Sequence, residues 1–276
     1  MNSMSERNLL FIVEGEADEP TFITRLFRVC YAQQSYRTYT YKTNLHTLAK
    51  RLEDDYPDFD GDEADICLIL RSYESSDTKR AILSEKYTDV FLIFDFEPQH
   101  DSPHFETIRR MLNYFQDSTS QGKLFINYPM MQSYKHFSAL PDPLFYDTKA
   151  TITDWGHYKQ IVGSVSAYTD TTHYTYPIFV SLTAHHMKKA NYILTGLYSL
   201  PSLDEYCSWN LTDIFEKQLV YKNRDSFVYV LNTCIFVLAD YQPTSFLGNL
   251  ETGEISFSLI DVMCRINTSC RLTANR

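Results

Sequence analysis

The feature that most constrains the fold is a pair of short apolar runs that end in acidic residues. LLFIV (9–13) is too short to form a helix, and it precedes the acidic turn EGEADEP. DVFLIFDFE (89–97) is the strongest strand signal in the chain and ends in carboxylates itself. Continuous apolar strands of this kind are typical of a parallel sheet covered on both faces.

Strand-like and helix-like segments alternate from residue 9 to about residue 130. This alternation predicts an α/β fold with a mostly parallel sheet flanked by helices. The further predicted strands are 36–42, 66–72 and 123–129, and the predicted helices are 20–32, 44–56, 77–87 and 102–117.

After about residue 140, strand-like and helix-like segments no longer alternate. The remainder contains apolar stretches at 191–199, 211–220 and 226–240, which we interpret as mostly helical. We therefore predict an α/β domain over 1–140 and a mainly helical C-terminal region over 141–276.

The 276-residue chain carries a net charge of -10, whereas proteins that grip long nucleic acids usually have a basic excess. Either bound divalent cations neutralise part of the acid, or a second subunit helps to hold the nucleic acid, or nucleic acid is not the partner. No apolar run reaches the roughly 18 residues that a membrane span requires, so no membrane partner is expected.

The cysteines form no CxxC pair and no cluster with zinc-ligand spacing. We expect buried, reduced thiols in a cytoplasmic protein. The six cysteines are Cys30, Cys67, Cys207, Cys234, Cys264 and Cys270.

Acidic residues follow both of the strongest predicted strands. Glu14 comes directly after the first strand, Asp18 lies one helical turn further on, and Asp95 and Glu97 end the later strand. If the two strands are neighbours, these side chains meet at the carboxyl edge of the sheet, where ligands of open α/β sheets bind. Because four such carboxylates repel one another, and hard cations take oxygen ligands, we predict a Mg²⁺ (or Mn²⁺) site.

FIVEGEADE (11–19) and IFDFE (93–97) resemble the two acidic motifs of the Toprim fold. Asp18, four residues after Glu14, resembles the Asp that follows the first motif of OLD-type nucleases. Glu97 occupies the position where the second motif of the family has its second Asp. OLD-type enzymes also use a Lys beyond the second motif, for which YPMMQSYKH offers Lys135 and Lys123 is the rival. The resemblance covers about residues 9–137 and extends to small Toprim proteins of phage defence, namely the OLD-like, RloB-like and abortive-infection groups.

The resemblance implies a metal-dependent nuclease that cuts DNA or RNA, including tRNA, during defence against phage. It implies that Glu14 acts as a general acid or base or as a metal ligand, that Asp18, Asp95 and Glu97 hold metal, and that Lys135 neutralises charge on the phosphate. The chain has no GxxxxGK[ST] motif, so we do not expect it to hydrolyse ATP in that way. The resemblance implies a separate ATPase partner, because related defence nucleases often work with one. The sequence does not decide whether the protein forms a homodimer, because exposed aromatic residues of a dimer interface cannot be distinguished from core aromatic residues.

Two other readings remain open at this point. The Asp-to-Glu change at position 97 and the acidic charge favour a degenerate Toprim-like domain that acts as a regulatory or binding subunit. A weaker alternative is a metal-dependent phosphotransfer enzyme that acts on small nucleotides.

Two histidine-containing segments have both a structural and a functional interpretation. The run His185-His186-Met187-Lys188-Lys189 is interpreted as a solvated helix face, with a phosphate-contact patch as the alternative. PQHDSPH (98–104) is interpreted as a loop before a helix, with a further metal ligand as the alternative.

Overall fold

The computed structural model describes residues 7–32, 34–61, 64–101, 103–241 and 246–247. The centre of the described structure is a five-stranded sheet with the strand order β2-β1-β3-β5-β4. All neighbours in it are parallel except the edge strand β4, which is antiparallel to β5. The predicted mostly parallel α/β fold is thereby confirmed. The strands are β1 (Asn8–Val13), β2 (Ser35–Thr40), β3 (Asp89–Asp95), β4 (Gln116–Asp117) and β5 (Gly122–Asn127).

Helices flank this sheet along the first half of the chain. The longest of them buries Phe22, Ile23, Leu26 and Phe27, which recur at helical spacing. These helices are α1 (Asp18–Cys30), α2 (Leu45–Asp55), α3 (Ile66–Tyr73), α4 (Asp77–Ile82) and α5 (Phe105–Tyr114).

The strand predicted at 66–72 is wrong, because this segment forms α3. The Asp65 side chain caps the helix by accepting hydrogen bonds from the backbone N–H groups of Cys67 and Leu68. Ile66, Ile69 and Leu70 are buried, whereas Leu68 is 51% exposed. The segment forms a helix because its buried apolar residues share one helical face and Asp65 caps its first turn.

The described part of the second half, up to residue 241, is mainly helical, as predicted, and it also contains a two-stranded antiparallel ribbon. The predicted helix at 226–240 is wrong for its first part, because 227–229 pair as a strand. The helices are α6 (Tyr158–Val165), α7 (Tyr176–Thr195), α8 (Leu203–Cys207), α9 (Leu211–Asp225) and α10 (Val237–Tyr241), and the ribbon strands are β6 (Lys149–Thr151) and β7 (Phe227–Tyr229). Single 3₁₀ turns cover Met131–Lys135, Phe145–Asp147, Trp155–His157, Thr171–His173 and Cys234–Phe236.

Chain beyond residue 140 packs directly on the end of β5. The backbone N–H of Tyr128 donates to the carbonyl of Leu231 at 2.7 Å, and the N–H of Leu231 donates back at 2.9 Å. The buried Thr233 hydroxyl donates to the carbonyl of Ile126 at 2.8 Å. One apolar core therefore runs through both halves, and the division at residue 140 into separate domains stays a prediction.

The prediction that residues 185–189 form a solvated helix face is wrong. His185, His186 and Lys189 lie in α7 with at most 2% of their surface exposed. Lys189 Nζ donates to the backbone carbonyls of Phe145 and Thr148, so this lysine ties α7 to the turn before β6. Burial also excludes these three residues from a phosphate-contact patch.

Among the described residues, no helix combines the length and apolar character needed to cross a bilayer. The cysteines Cys30, Cys67, Cys207 and Cys234 are unpaired, and Cys264 and Cys270 lie outside the described residues. Burial was predicted for all of them, and it is correct for Cys234, partial for Cys30 and Cys67, and wrong for Cys207.

Candidate functional site

The two strands that end in acidic residues are direct neighbours. β1 pairs with β3 in parallel with Val13 opposite Ile93, so Glu14 and Asp95 leave the sheet at the same edge. The backbone N–H of Asp95 donates to Glu14 Oε2 at 3.2 Å. The predicted meeting of these two acids at one rim of the sheet is confirmed.

A third carboxylate, which the sequence analysis did not single out, belongs to this rim. Glu19 lies in the first turn of α1 with only 5% of its surface exposed, and its Oε1 accepts a hydrogen bond from the backbone N–H of Gly15 at 3.3 Å. A Cβ atom at position 15 would lie 2.6 Å from Glu19 Oε2. Gly15 therefore leaves the space into which the Glu19 carboxylate folds.

Glu97 lies beside these residues on an unusual backbone. Its φ of 43° is in the left-handed region, which non-glycine residues seldom adopt and which recurs at functional sites. Its negative charge acts on both Glu14 and Asp95. We call Glu14, Glu19, Asp95 and Glu97 the carboxylate cluster.

Asn127 links the cluster to the second half of the chain. It ends β5 opposite Asp95, and its Nδ2 donates to Asp95 Oδ1 at 3.5 Å. Its Oδ1 accepts from the backbone N–H of Cys234 at 3.3 Å. The orientation of Asp95 thus depends on chain that follows residue 140.

Burial and mutual repulsion raise the pKa values within the carboxylate cluster. Burial, with the charges of Glu97 and Glu19, raises the pKa of Glu14 to about 8, although the hydrogen bond from Asp95 opposes the rise. Burial and the charge of Glu14 raise the pKa of Asp95 well above its usual value, and burial raises the pKa of Glu19. Without a cation, the cluster therefore holds protons that ordinary carboxylates release.

The donor chemistry of the carboxylate cluster fits a hard divalent cation. Its ligands are carboxylate oxygens, and none of the four acids forms an ion pair with a Lys or Arg in the described part of the chain. No three His, Cys, Asp or Glu side chains among the described residues form a ready-made metal site. Glu14 and Glu19 use one oxygen each on backbone N–H groups, so metal binding would require these carboxylates to turn.

Asp18 faces basic and amide groups instead. Its Oδ2 accepts hydrogen bonds from Gln132 Nε2 and from Lys159 Nζ, both at 2.6 Å. Burial alone would raise the pKa of Asp18, but the hydrogen bond and charge of Lys159 and the charge of Lys135 outweigh it and lower the pKa. Asp18 also acts on the pKa of Glu19, so it adjoins the carboxylate cluster.

The structure separates the two candidate lysines. Lys135 ends the 3₁₀ turn after β5, and its charge acts on Asp18. Lys123 is the second residue of β5, about 13 Å along the strand from Asn127, and pairs with Asp240 at 2.6 Å. Lys135 is therefore on the same side as the carboxylate cluster, and Lys123 is at the opposite edge of the sheet.

The histidines of PQHDSPH serve the loop before α5, as the structural interpretation predicted. His104 precedes α5, and its Nδ1 lies 3.0 Å from Glu53 Oε2. Its backbone N–H donates to Nδ1 of the buried His46, whose ring stacks on His100 with centroids 4.3 Å apart. Burial lowers the pKa of His46 to about 4, so this ring is neutral at pH 7.

The sequence analysis missed Glu19, Asn127, Gln132 and Lys159. Asn127 had a usable signal, because it is a polar residue at the carboxyl end of a buried strand. Gln132 and Lys159 had none, since only the folded chain brings them to Asp18 from 114 and 141 residues away.

Comparison with family models, with curated proteins and with solved structures finds no match to this chain. The likeness to Toprim proteins therefore depends on the acidic motifs themselves.

Proposed function

We propose that this protein is a Mg²⁺- or Mn²⁺-dependent nuclease of the Toprim type. The observation that carries the proposal is the contact between Glu14 and Asp95 at the carboxyl edge of adjacent parallel strands, with Glu19 and Glu97 beside them. These acids lack a basic partner among the described residues, and the adjoining Asp18 accepts a hydrogen bond from Gln132 in the turn that also carries Lys135. Metal-dependent phosphodiester hydrolysis requires carboxylates that bind the metal ion and positively charged groups that bind the phosphate.

In this proposal Asp95 and Glu97 hold the metal together with Glu14, and Glu19 supports them. Bound Mg²⁺ would polarise the scissile phosphate and lower the pKa of a water molecule. The resemblance also makes Glu14 a candidate for proton transfer, and its pKa, which is raised in the metal-free protein, would fall when a cation binds beside it. Lys135 would offset negative charge that develops on the phosphate.

A cleavage assay with matched variants tests the proposal. Purified protein is incubated with plasmid, single-stranded DNA and tRNA in Mg²⁺, Mn²⁺ or EDTA, with Glu14→Gln, Asp95→Asn and Glu16→Gln beside wild type. Glu16 is the control, because it is exposed in the same turn and pairs with Lys42 at 2.5 Å. We expect E14Q and D95N to lower cleavage by about 100-fold or more, as EDTA does, and E16Q to retain it. Cleavage that persists in EDTA or in D95N contradicts the proposal.

The setting we propose is defence against phage in the bacterial cytoplasm, with a separate ATPase as a partner. This part depends on the resemblance of the acidic motifs to those of defence nucleases. Cells that express wild type or E14Q are challenged with a panel of phages. Protection by wild type that E14Q lacks supports this setting, and equal plating efficiency on both contradicts it.

A second candidate is a Toprim-like binding or regulatory subunit without catalysis. The left-handed backbone at Glu97, a residue that replaces the Asp of the family motif, favours it, because both features change where the second carboxylate points. Nucleic-acid binding without cleavage of any substrate in the same assay, in either metal, is the result expected from this candidate.

A further inference from the structure

Two lysines lie near Asp18, which adjoins the carboxylate cluster, in a protein whose net charge is -10. Lys159, near the start of α6, donates to Asp18 at 2.6 Å, and its side chain is 67% exposed. Lys135 is half-buried, and the charge of Lys159 acts on it. Lys159 pairs directly with Asp18, and Lys135 ends the turn whose Gln132 also donates to Asp18, so the charge of Asp18 acts on both lysines.

One carboxylate oxygen of Asp18, Oδ2, accepts two hydrogen bonds. Both Gln132 and Lys159 donate to its Oδ2. Gln132 is buried with 5% exposure, which fixes its amide and therefore the carboxylate that it contacts. A metal at Oδ2 would have to displace both donors, and a metal at Oδ1 would be repelled by the Lys159 ammonium on the same carboxylate.

A groove that contains two arginines lies along the exposed face of α1 and begins at Pro20, two residues after Asp18. It has a volume of about 300 Å³ and is lined by Pro20, Thr21, Thr24, Arg25, Arg28 and Thr172. Arg25 is fixed by donating through Nε to the carbonyl of Tyr174 at 2.8 Å, and Arg28 is exposed in the last turn. The helix rises about 15 Å between Asp18 and Arg28, a length that spans several phosphates of one strand.

We propose that Lys159 and Lys135 bind a backbone phosphate of a nucleic-acid strand beside the carboxylate cluster, and that Arg28 contacts a second phosphate along α1. Asp18 is then a positioning residue for Lys159 and not a metal ligand. This inference rests on the proposed nuclease function for its substrate class. Its two claims are nevertheless measurable without cleavage, because phosphate contacts persist when metal is removed.

Binding in EDTA tests the phosphate contacts. Fluorescence anisotropy is measured with labelled 20-nucleotide single-stranded DNA, RNA and duplex DNA over a range of KCl concentrations. The proteins are wild type, Lys159→Gln, Lys159→Arg, Arg28→Gln and Lys86→Gln. Lys86 is the matched control, because it is exposed next to the amino end of β3, at the opposite edge of the sheet.

We expect K159Q to bind about tenfold more weakly than wild type and to lower the salt dependence by about one unit of slope. R28Q should act in the same direction, K159R should retain most of the affinity, and K86Q should stay within about twofold of wild type. The three probes show which nucleic acid binds best. Equal affinities of K159Q and K86Q for all three, or no binding by wild type, overturns the proposal.

Calorimetric Mn²⁺ binding tests the role of Asp18. We expect Asp18→Asn to keep the Mn²⁺ affinity within about twofold of wild type and to bind the oligonucleotides as weakly as K159Q does. Asp95→Asn should lose Mn²⁺ and still bind oligonucleotide in EDTA. Loss of Mn²⁺ binding in D18N overturns the positioning role. Absence of Mn²⁺ binding in wild type counts against the proposed nuclease. It does not affect the phosphate-contact proposal, because the oligonucleotide affinity of K159Q is measured in EDTA.

Discussion

Glu14 and Asp95 illustrate how position alone changes the chemistry of a carboxyl group. Both are ordinary acids in the sequence, yet each loses hydration at the sheet edge and lies close to other negative charges. The folded protein therefore binds protons here more tightly than the unfolded chain does. Such groups stabilise the fold below their unfolded pKa, and the contribution is lost as pH rises through the folded pKa.

We predict that the metal-free protein loses stability through Glu14 between about pH 4.5 and about pH 8. Glu14→Gln removes the ionisation, so its Tm should exceed that of wild type by about 2 °C or more at pH 8 and by less at pH 5. Thermal denaturation in EDTA at both pH values measures this, with Glu16→Gln as the control. Added Mg²⁺ should raise the Tm of wild type at pH 8 more than that of E14Q. A difference between E14Q and wild type that does not grow with pH contradicts the prediction.

Gly15 offers a change that moves one carboxylate of the cluster with little effect on folding. Gly15→Ala places a methyl group against the end of the flexible Glu19 side chain, which can turn aside. We expect the free energy of unfolding to change by less than about 1 kcal/mol and Mn²⁺ affinity to fall about tenfold. Urea denaturation and calorimetry measure the two effects. Gly163→Ala is the control, because a Cβ there meets nothing within 4 Å. Unchanged Mn²⁺ affinity in G15A would count against a role for Glu19.

At the scale of elements, α3 and α7 show that apolar composition does not settle how a segment packs. α3 was predicted as a strand, although its apolar residues lie on one helical face and Asp65 caps it. α7 is buried on nearly all sides, so even Lys189, His185 and His186 lie in the core. Each of these polar groups has backbone contacts, such as the donation of the Asp142 N–H to His185 Nε2 at 3.0 Å.

Lys189 tests how tightly α7 is tied to the turn before β6. Lys189→Ala leaves the carbonyls of Phe145 and Thr148 without this donor and opens space beside the Phe145 ring. We expect a loss of about 2–4 kcal/mol in the free energy of unfolding. Chemical denaturation measures it against Lys217→Ala, an exposed position on α9 that should change stability by less than about 0.5 kcal/mol. Similar losses in the two variants would contradict the anchoring role of Lys189.

At the scale of the whole molecule, the carboxylate cluster depends on both halves of the chain. Cys234 holds Asn127 against Asp95, and Lys159 meets Asp18. The mutual hydrogen bonds of Tyr128 and Leu231 join the halves at the same edge of the sheet. Separation of the halves would expose the shared core and disperse the site.

We predict that the protein unfolds in a single cooperative transition. Trp155 and Trp209 both lie beyond residue 140, so their fluorescence follows the second half, whereas far-ultraviolet circular dichroism follows the whole chain. The two urea curves should coincide, and Thr233→Val, which removes the donor to Ile126, should shift both together. Two separate midpoints would show instead that the predicted domains 1–140 and 141–276 unfold independently.

Sequence alone predicted the four parallel strands of the sheet, because continuous apolar runs between helical segments have few other ways to be buried. It missed β4, which lies inside the helix predicted at 102–117. It also identified Glu14 and Asp95, since strand ends in a parallel sheet share one edge. It could not identify α3 from hydrophobicity, because a short apolar run fits a helix as well as a strand.

Only the tertiary structure decided the contacts between residues that are distant along the chain. Gln132 and Lys159 on Asp18, Asn127 on Asp95, and the separation of Lys135 from Lys123 all depend on how later segments pack against the edge of the sheet. The raised pKa values of the carboxylate cluster arise there too, because burial and charge proximity are properties of the packed molecule. Local patterns encode which elements form, whereas the side chains that complete the site are selected by packing over more than 100 residues of separation.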